Sequence, residues 1–154
     1  MSPQREYPAR PVVGVGGVAI RGGRALLIRR GGPPLAGEWS IPGGTLELGE
    51  SLTAGVVREL KEETGLEVRA LELIEVFDRI FPDAQGRAQY HFVIADYLCE
   101  ILAGEPRAAS DVTEVAWASE EELAAYRLTP TATRVLQKAF QMARERNGSL
   151  HSGR

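Results

Sequence analysis

Three glutamates carry the most specific chemistry in this sequence. Glu59, Glu62 and Glu63 stand at i, i+3 and i+4 within Ser51 to Glu63, a stretch with the character of a helix. Ser51 is a plausible N-cap, and Gly65 suits the left-handed position just past a helix end. At about 100° per residue the acids fall within one arc of about 100°, and Leu52, Val56 and Leu60 occupy the adjoining arc that faces the core. The acids therefore border the buried face, where neighbours can hold them still. Like charges at this spacing weaken an isolated helix by roughly a few tenths of a kcal/mol per pair. Gly55 in the helix interior costs about 1 kcal/mol relative to Ala. Local rules broken in this way point to a functional site, where a cation offsets the repulsion. Hard divalent ions such as Mg²⁺ take carboxylate, carbonyl and water oxygens together with substrate phosphates. Arg58 lies one turn before Glu62 and can keep a carboxylate oriented. A solvated acidic helix face with no metal is the alternative that the cluster alone leaves open.

The surrounding spacing narrows that choice. Gly44 to Leu66 reads GTLELGESLTAGVVRELKEETGL. It resembles, position for position, the signature of the Nudix hydrolase family, G-x5-E-x7-R-E-U-x-E-E-x-G-U with U apolar. The matching residues are Gly44, Glu50, Arg58, Glu59, Leu60, Glu62, Glu63, Gly65 and Leu66. Seven fixed residue types would coincide by chance in on the order of one chain in ten million. Trp39-Ser40-Ile41-Pro42-Gly43 also resembles the family's approach to this box, and weaker likeness covers roughly Val12 to Phe140.

The resemblance implies an α/β/α sandwich in which the box forms a loop–helix–loop. It implies that Glu62 and Glu63, often with Glu59, bind divalent metal, joined by a backbone carbonyl of Gly43. Glu50 and Arg58 would orient those carboxylates. The implied reaction is attack of water at a phosphorus of a pyrophosphate, with Mg²⁺ as cofactor and Mn²⁺ able to substitute. The general base stays open between Glu59 in the box and Asp111 or Glu114, in the loop before Trp117. Arg29, Arg79, Phe81 and Gly44 are candidates for substrate contact, Phe81 because it sits in the polar loop expected from Asp78 to Arg87. Pro82 lies 16 positions after Leu66 (82 − 66), a placement resembling a marker of ADP-ribose pyrophosphatases. ADP-ribose or a similar nucleoside diphosphate sugar is therefore the expected substrate. Nucleoside triphosphates such as 8-oxo-dGTP are the alternative. A non-catalytic nucleotide-binding regulator is disfavoured, because all three box acids are present.

These residues need a scaffold. Val12 to Ile20 and Ala25 to Arg30 read as strands joined at Gly22-Gly23, a two-residue hairpin signal. Gly31 to Gly37 reads as a loop and Trp39 to Ile41 as a short strand. Glu67 to Phe77 and Gln89 to Glu100 are strand-like, and the second is apolar on both faces, which suits a central strand covered on both sides. Glu120 to Tyr126 and Thr131 to Arg146 read as closing helices. The expected class is α/β (α+β), a mixed sheet flanked by helices. One domain is expected over 12–146, between flexible tails at 1–11 and 147–154. Gly14 to Ala19 fits G-x-G-x-x-A, but Gly22-Gly23 arrives too soon for the helix that a dinucleotide-binding turn requires. Glycines in this strand instead allow close approach of a ligand or a packed helix.

Bulk properties fit this reading. The 154 residues are 44% apolar and 25% charged, enough for one buried core. No apolar run approaches the ~20 residues that span a bilayer, and Met1 to Arg10 lack the apolar region of a secretory signal. Cys99 is the only cysteine, which excludes an intrachain disulfide and suits a reducing compartment, so a cytoplasmic protein is expected. A net charge of −3 argues against a nucleic-acid polymer as partner. The expected partner is a small nucleotide, with no membrane association. A homodimer is compatible with the chain, though no feature establishes one.

Overall fold

The strand Val12–Arg21 (β1) is the one on which the sheet is assembled. The structure is a computed structural model that describes residues 4–152; the expected tails extend beyond it at 1–3 and 153–154. β1 turns back through Gly22 and Gly23, both at positive φ, into Arg24–Arg30 (β2). Two left-handed residues in succession give the turn whose twist matches paired strands. Trp39–Ser40 (β3) pairs with β2, and Gly43–Thr45 (β4) pairs with β1. The helix Leu52–Thr64 (α1) follows, then the long strands Glu67–Pro82 (β5) and Ala88–Ala103 (β6). Val112–Ser119 (β7) returns to β2. A 3₁₀ helix, Glu120–Tyr126, and the helix Pro130–Ser152 (α2) close the chain.

The main path of the sheet runs β3-β2-β1-β6-β5. β1 and β6 are parallel and the other pairs antiparallel, so the sheet is mixed, as expected. One face is covered by α1, through Val56 and Leu60 against Val15, Ala19, Leu26 and Cys99. The other is covered by α2, through Val135, Leu136, Ala139 and Phe140 against Val18, Leu27, Ile74 and Leu98. Val56 and Leu60 are fully buried, each worth about 1.5–3 kcal/mol, which anchors α1 and everything it carries. β6, between β1 and β5, is the doubly covered central strand.

The structure differs from the expectations in several places. β5 continues through Pro82, so Phe81 lies in a strand opposite Tyr90 rather than in a loop. The polar look of Asp78 to Arg87 comes from strand alternation, with Phe77, Arg79 and Phe81 half-buried between exposed neighbours. The true loop is short, and the Asp83 carboxylate closes it by accepting the N–H groups of Gln85 and Arg87. Glu114 belongs to β7 and not to a loop. α2 runs past Arg146 to Ser152, since an isolated glycine does not stop a helix. Within the expected N-terminal tail, the Tyr7 N–H donates to the Gln89 carbonyl at 2.7 Å, and the Tyr7 hydroxyl donates to Asp83 at 2.9 Å. Among the described residues no helix is long and apolar enough to cross a membrane.

Candidate active site

α1 starts where the Ser51 hydroxyl accepts the Ala54 N–H at 3.1 Å, and ends at Gly65, whose φ is 78°. With Val56 and Leu60 turned into the core, Glu59 and Glu63 come to lie 9% and 7% exposed, while Glu62 faces solvent. Gly55 has a packing reason. A Cβ there would meet Leu46 Cδ1 at 2.8 Å, so its absence lets the loop before the helix lie against it.

Arg58 ties this loop to the helix. Its Nε donates to Glu50 Oε2 at 2.6 Å, and its Nη2 donates to Glu50 Oε1 at 2.9 Å and to the Thr45 carbonyl at 3.0 Å. Its Nη1 donates to Glu59 at 2.9 Å and to Glu62 at 3.1 Å. The planar fork meets Glu50 with two parallel bonds, a geometry lysine cannot copy. The Arg58 guanidinium holds the Glu50 carboxyl below its usual range, and Glu50 in turn raises Arg58. Glu63 Oε1 accepts the Gly43 N–H at 2.9 Å. The Glu59 carboxylate lies over Gly44, where a Cβ would come within 2.4 Å of Oε2.

Burial makes two of these acids reluctant to ionise. Glu63 is pushed up to about 8, chiefly by burial, with Glu59 and Asp111 adding to the effect and Arg30 opposing it. Glu59 is also raised by burial, although Arg58 works against the shift. All of this borders one cleft of about 1400 Å³. Its acidic end holds Glu59, Glu62, Glu63 and Asp111. Arg5, Arg30 and Arg79 line it too, with Arg5 over the Phe92 ring at 5.6 Å and Arg79 over Phe81 at 5.1 Å.

Glu50, Arg58, Glu59, Glu62, Glu63, Gly43, Gly44, Asp111, Arg79 and Phe81 all line this cleft. Arg29 and Glu114 do not. They oppose each other across β2 and β7 and form an exposed pair at 3.4 Å. The cleft-lining arginine is Arg30, which sequence reasoning passed over. Residues Ala25 to Ile28 are buried throughout, so no alternation along β2 reveals which arginine turns inward. Arg5 and Asp96 were missed as well. Asp96 is 3% exposed and is pushed up to about 7 by burial and by Glu75.

A divalent cation suits this donor set. Its side-chain donors are all carboxylate oxygens, the ligands hard cations prefer, and two are buried acids whose charge lacks full compensation. Among the described residues, no three Asp, Glu, His or Cys side chains already converge as a ligand shell; Arg58 holds Glu59 and Glu62 instead.

A NUDIX domain profile matches residues 10–139. The chain is 36% identical over 104 residues to an ADP-ribose pyrophosphatase of Methanocaldococcus jannaschii, covering 68% of this chain and 59% of that one, less than two thirds of that relative. It is 39% identical over 110 residues to a Mycobacterium tuberculosis protein named "Putative 8-oxo-dGTP diphosphatase 2", covering 71% and 74%. The crystal structure of a MutT NUDIX hydrolase from Burkholderia pseudomallei matches with a TM-score of 0.73 at 34% identity, covering 84% of this chain and 98% of that one.

Proposed function

The chain belongs to the NUDIX family, hydrolases that act on pyrophosphate bonds, and from this premise we propose that its substrate is ADP-ribose or a related nucleoside diphosphate sugar. The observation that carries a hydrolytic site is the pair of buried carboxylates, Glu59 and Glu63, at the edge of an open cleft. Members of the family work with a divalent cation. Here Glu59, Glu62 and Glu63, with the carbonyl of Gly43, would hold it, and we assign Mg²⁺, with Mn²⁺ as substitute. When bound, the cation neutralises phosphate oxygens and makes water acidic enough to attack near neutral pH.

The chain's own residues do the rest. Arg58 and Glu50 keep the acids oriented in a pre-organised frame. The Asp111 carboxylate makes no hydrogen bond among the described residues, whereas Glu59 is engaged by Arg58. Asp111 is therefore the acceptor we assign for the proton of the attacking water. Arg30 and Arg79 supply guanidinium donors to the phosphates, since a site lined by glutamates alone would repel a polyphosphate. Phe81, with Phe92 nearby, offers apolar ring surface to the substrate.

The volume of the cleft supports a two-ended substrate, and so does the likeness to the M. jannaschii enzyme. The likeness to the M. tuberculosis protein favours a second reading, an oxidised nucleoside triphosphate. Incubation with Mg²⁺ and a panel of ADP-ribose, other diphosphate sugars, dinucleotides, dNTPs and 8-oxo-dGTP separates them. AMP plus ribose phosphate, abolished by chelator, is expected. Monophosphate plus pyrophosphate from triphosphates alone would replace the substrate and keep the reaction.

A further inference from the structure

Four polar side chains are buried among the described residues, and three of them, Glu59, Glu63 and Thr64, have hydrogen-bond partners. Asp96, the fourth, has neither a hydrogen bond nor an ion pair there, yet it lines the cleft. It sits on β6 between Gly16 of β1 and Glu75 of β5. Glu75 is engaged by Arg134 of α2. A Cβ on Gly16 would lie 2.3 Å from Asp96 Oδ1, so glycine leaves the room that the carboxyl occupies.

Alternate residues of a strand share a face at steps of ~7 Å. Phe92, Ile94 and Asp96 therefore form a row along β6, with Phe77 opposite Ile94, and all four line the cleft. This is an apolar shelf that ends in an acceptor. Burying a carboxyl with no partner is strongly unfavourable. A ligand that spreads over the shelf and brings N–H groups to its end removes that penalty. The phosphates of a nucleotide cannot be that part, because they carry the same charge as the carboxylate. The sugar hydroxyls and the base both carry donors, but only the base joins its donors to a flat ring that can lie over an apolar shelf formed by Phe77 and Ile94.

We propose that Asp96 determines base specificity by accepting hydrogen bonds from the exocyclic amino group of an amino-bearing base. The inference rests on the nucleotide-hydrolase reading above and adds the feature of the substrate that the cleft selects. The carboxyl oxygens keep lone pairs in either protonation state, and the bond is the stronger one when the carboxylate is ionised.

The test is binding of nucleoside 5′-monophosphates to the full chain with Mg²⁺, measured by calorimetry in pairs that differ by the amino group: AMP against purine riboside monophosphate, GMP against IMP, and CMP against UMP. In at least one pair the amino-bearing member should bind about ten- to hundredfold tighter, the size of one hydrogen bond to a charged group. Asp96→Ala should bring that ratio close to one. Should this variant fail to fold, Asp96→Asn keeps the shape and should cut the ratio at least about threefold, because a neutral amide is the weaker acceptor. Equal affinity within every wild-type pair, or a ratio unchanged in the variants, would overturn the proposal. Base preference without hydrolysis of any phosphoanhydride would instead overturn the proposed function and leave this inference standing.

Discussion

Glu63→Gln should make the cation-free protein more stable at alkaline pH while removing its activity. Glu63 is 7% exposed, and burial raises its carboxyl from the ordinary 4.5 to about 8. The folded chain thus holds this proton more tightly than the unfolded chain does. The resulting stability is complete below about pH 4.5 and is lost as pH rises through 8. At 1.36 kcal/mol per pH unit the loss amounts to about 3 to 5 kcal/mol. Glutamine cannot ionise, and its side-chain oxygen can still accept the Gly43 N–H that Glu63 now accepts. Urea unfolding in chelator should show the two proteins alike near pH 4. At pH 9 the variant should lead by about 3 to 5 kcal/mol. Excess divalent cation should close this gap, because binding to the folded state favours the ionised carboxylate. A variant less stable than the parent at pH 9 without cation, or two parallel pH profiles, would refute the reasoning.

Three other substitutions probe the frame around that acid. Arg58→Ala leaves Glu50 and Glu59 without their guanidinium and should destabilise the fold by about 3–5 kcal/mol, with Arg58→Lys failing to restore turnover; chemical denaturation and steady-state rates check both. Gly44→Ala places a methyl group within 2.4 Å of the Glu59 carboxylate. It should lower turnover about a hundredfold, the scale of a 1 Å misplacement, with a stability loss under about 2 kcal/mol. Asp111→Asn should reduce kcat by about 10²- to 10⁴-fold if Asp111 accepts the proton. Glu114→Gln and Arg29→Ala should leave kcat within about threefold, since their exposed pair contributes about 1 kcal/mol at most. The reverse order in steady-state assays would move the base to β7.

The parts of this site that were legible in the sequence are those encoded by local chain geometry. Ser51, Gly65 and the 3.6-residue period place Val56 and Leu60 inward, with Glu59 and Glu63 at the border, and the structure agrees. The pairing of Arg58 with Glu50 bridges a loop and a helix. No periodicity predicts it; the family resemblance implies an orienting role for both residues, and the pairing itself is seen only in the structure. What escaped depends on pairing between distant segments. Arg29 and Arg30 look alike along the chain, and only the register of β2 with β3 and β7 turns Arg30 toward the cleft. Glu114 reads as a loop acid until β7 is seen to pair with a strand some 85 positions earlier. Asp96 shares the parity of Phe92 and Ile94, but its isolation follows from Gly16 opposite it and from Arg134 engaging Glu75. Phe81 reads as a loop residue because alternation of polar and apolar residues on an exposed strand resembles loop composition.

Equilibrium binding of Mn²⁺, followed by electron paramagnetic resonance, addresses the carboxylate helix most directly. The unaltered chain is predicted to bind the ion at the acidic end of the cleft, where it broadens nuclear signals from Gly43 and Glu63 first. Glu59→Gln combined with Glu63→Gln is predicted to weaken binding at least about tenfold while the folded spectrum persists. Unchanged affinity in that double variant would contradict the assignment of these glutamates as the cation's ligands.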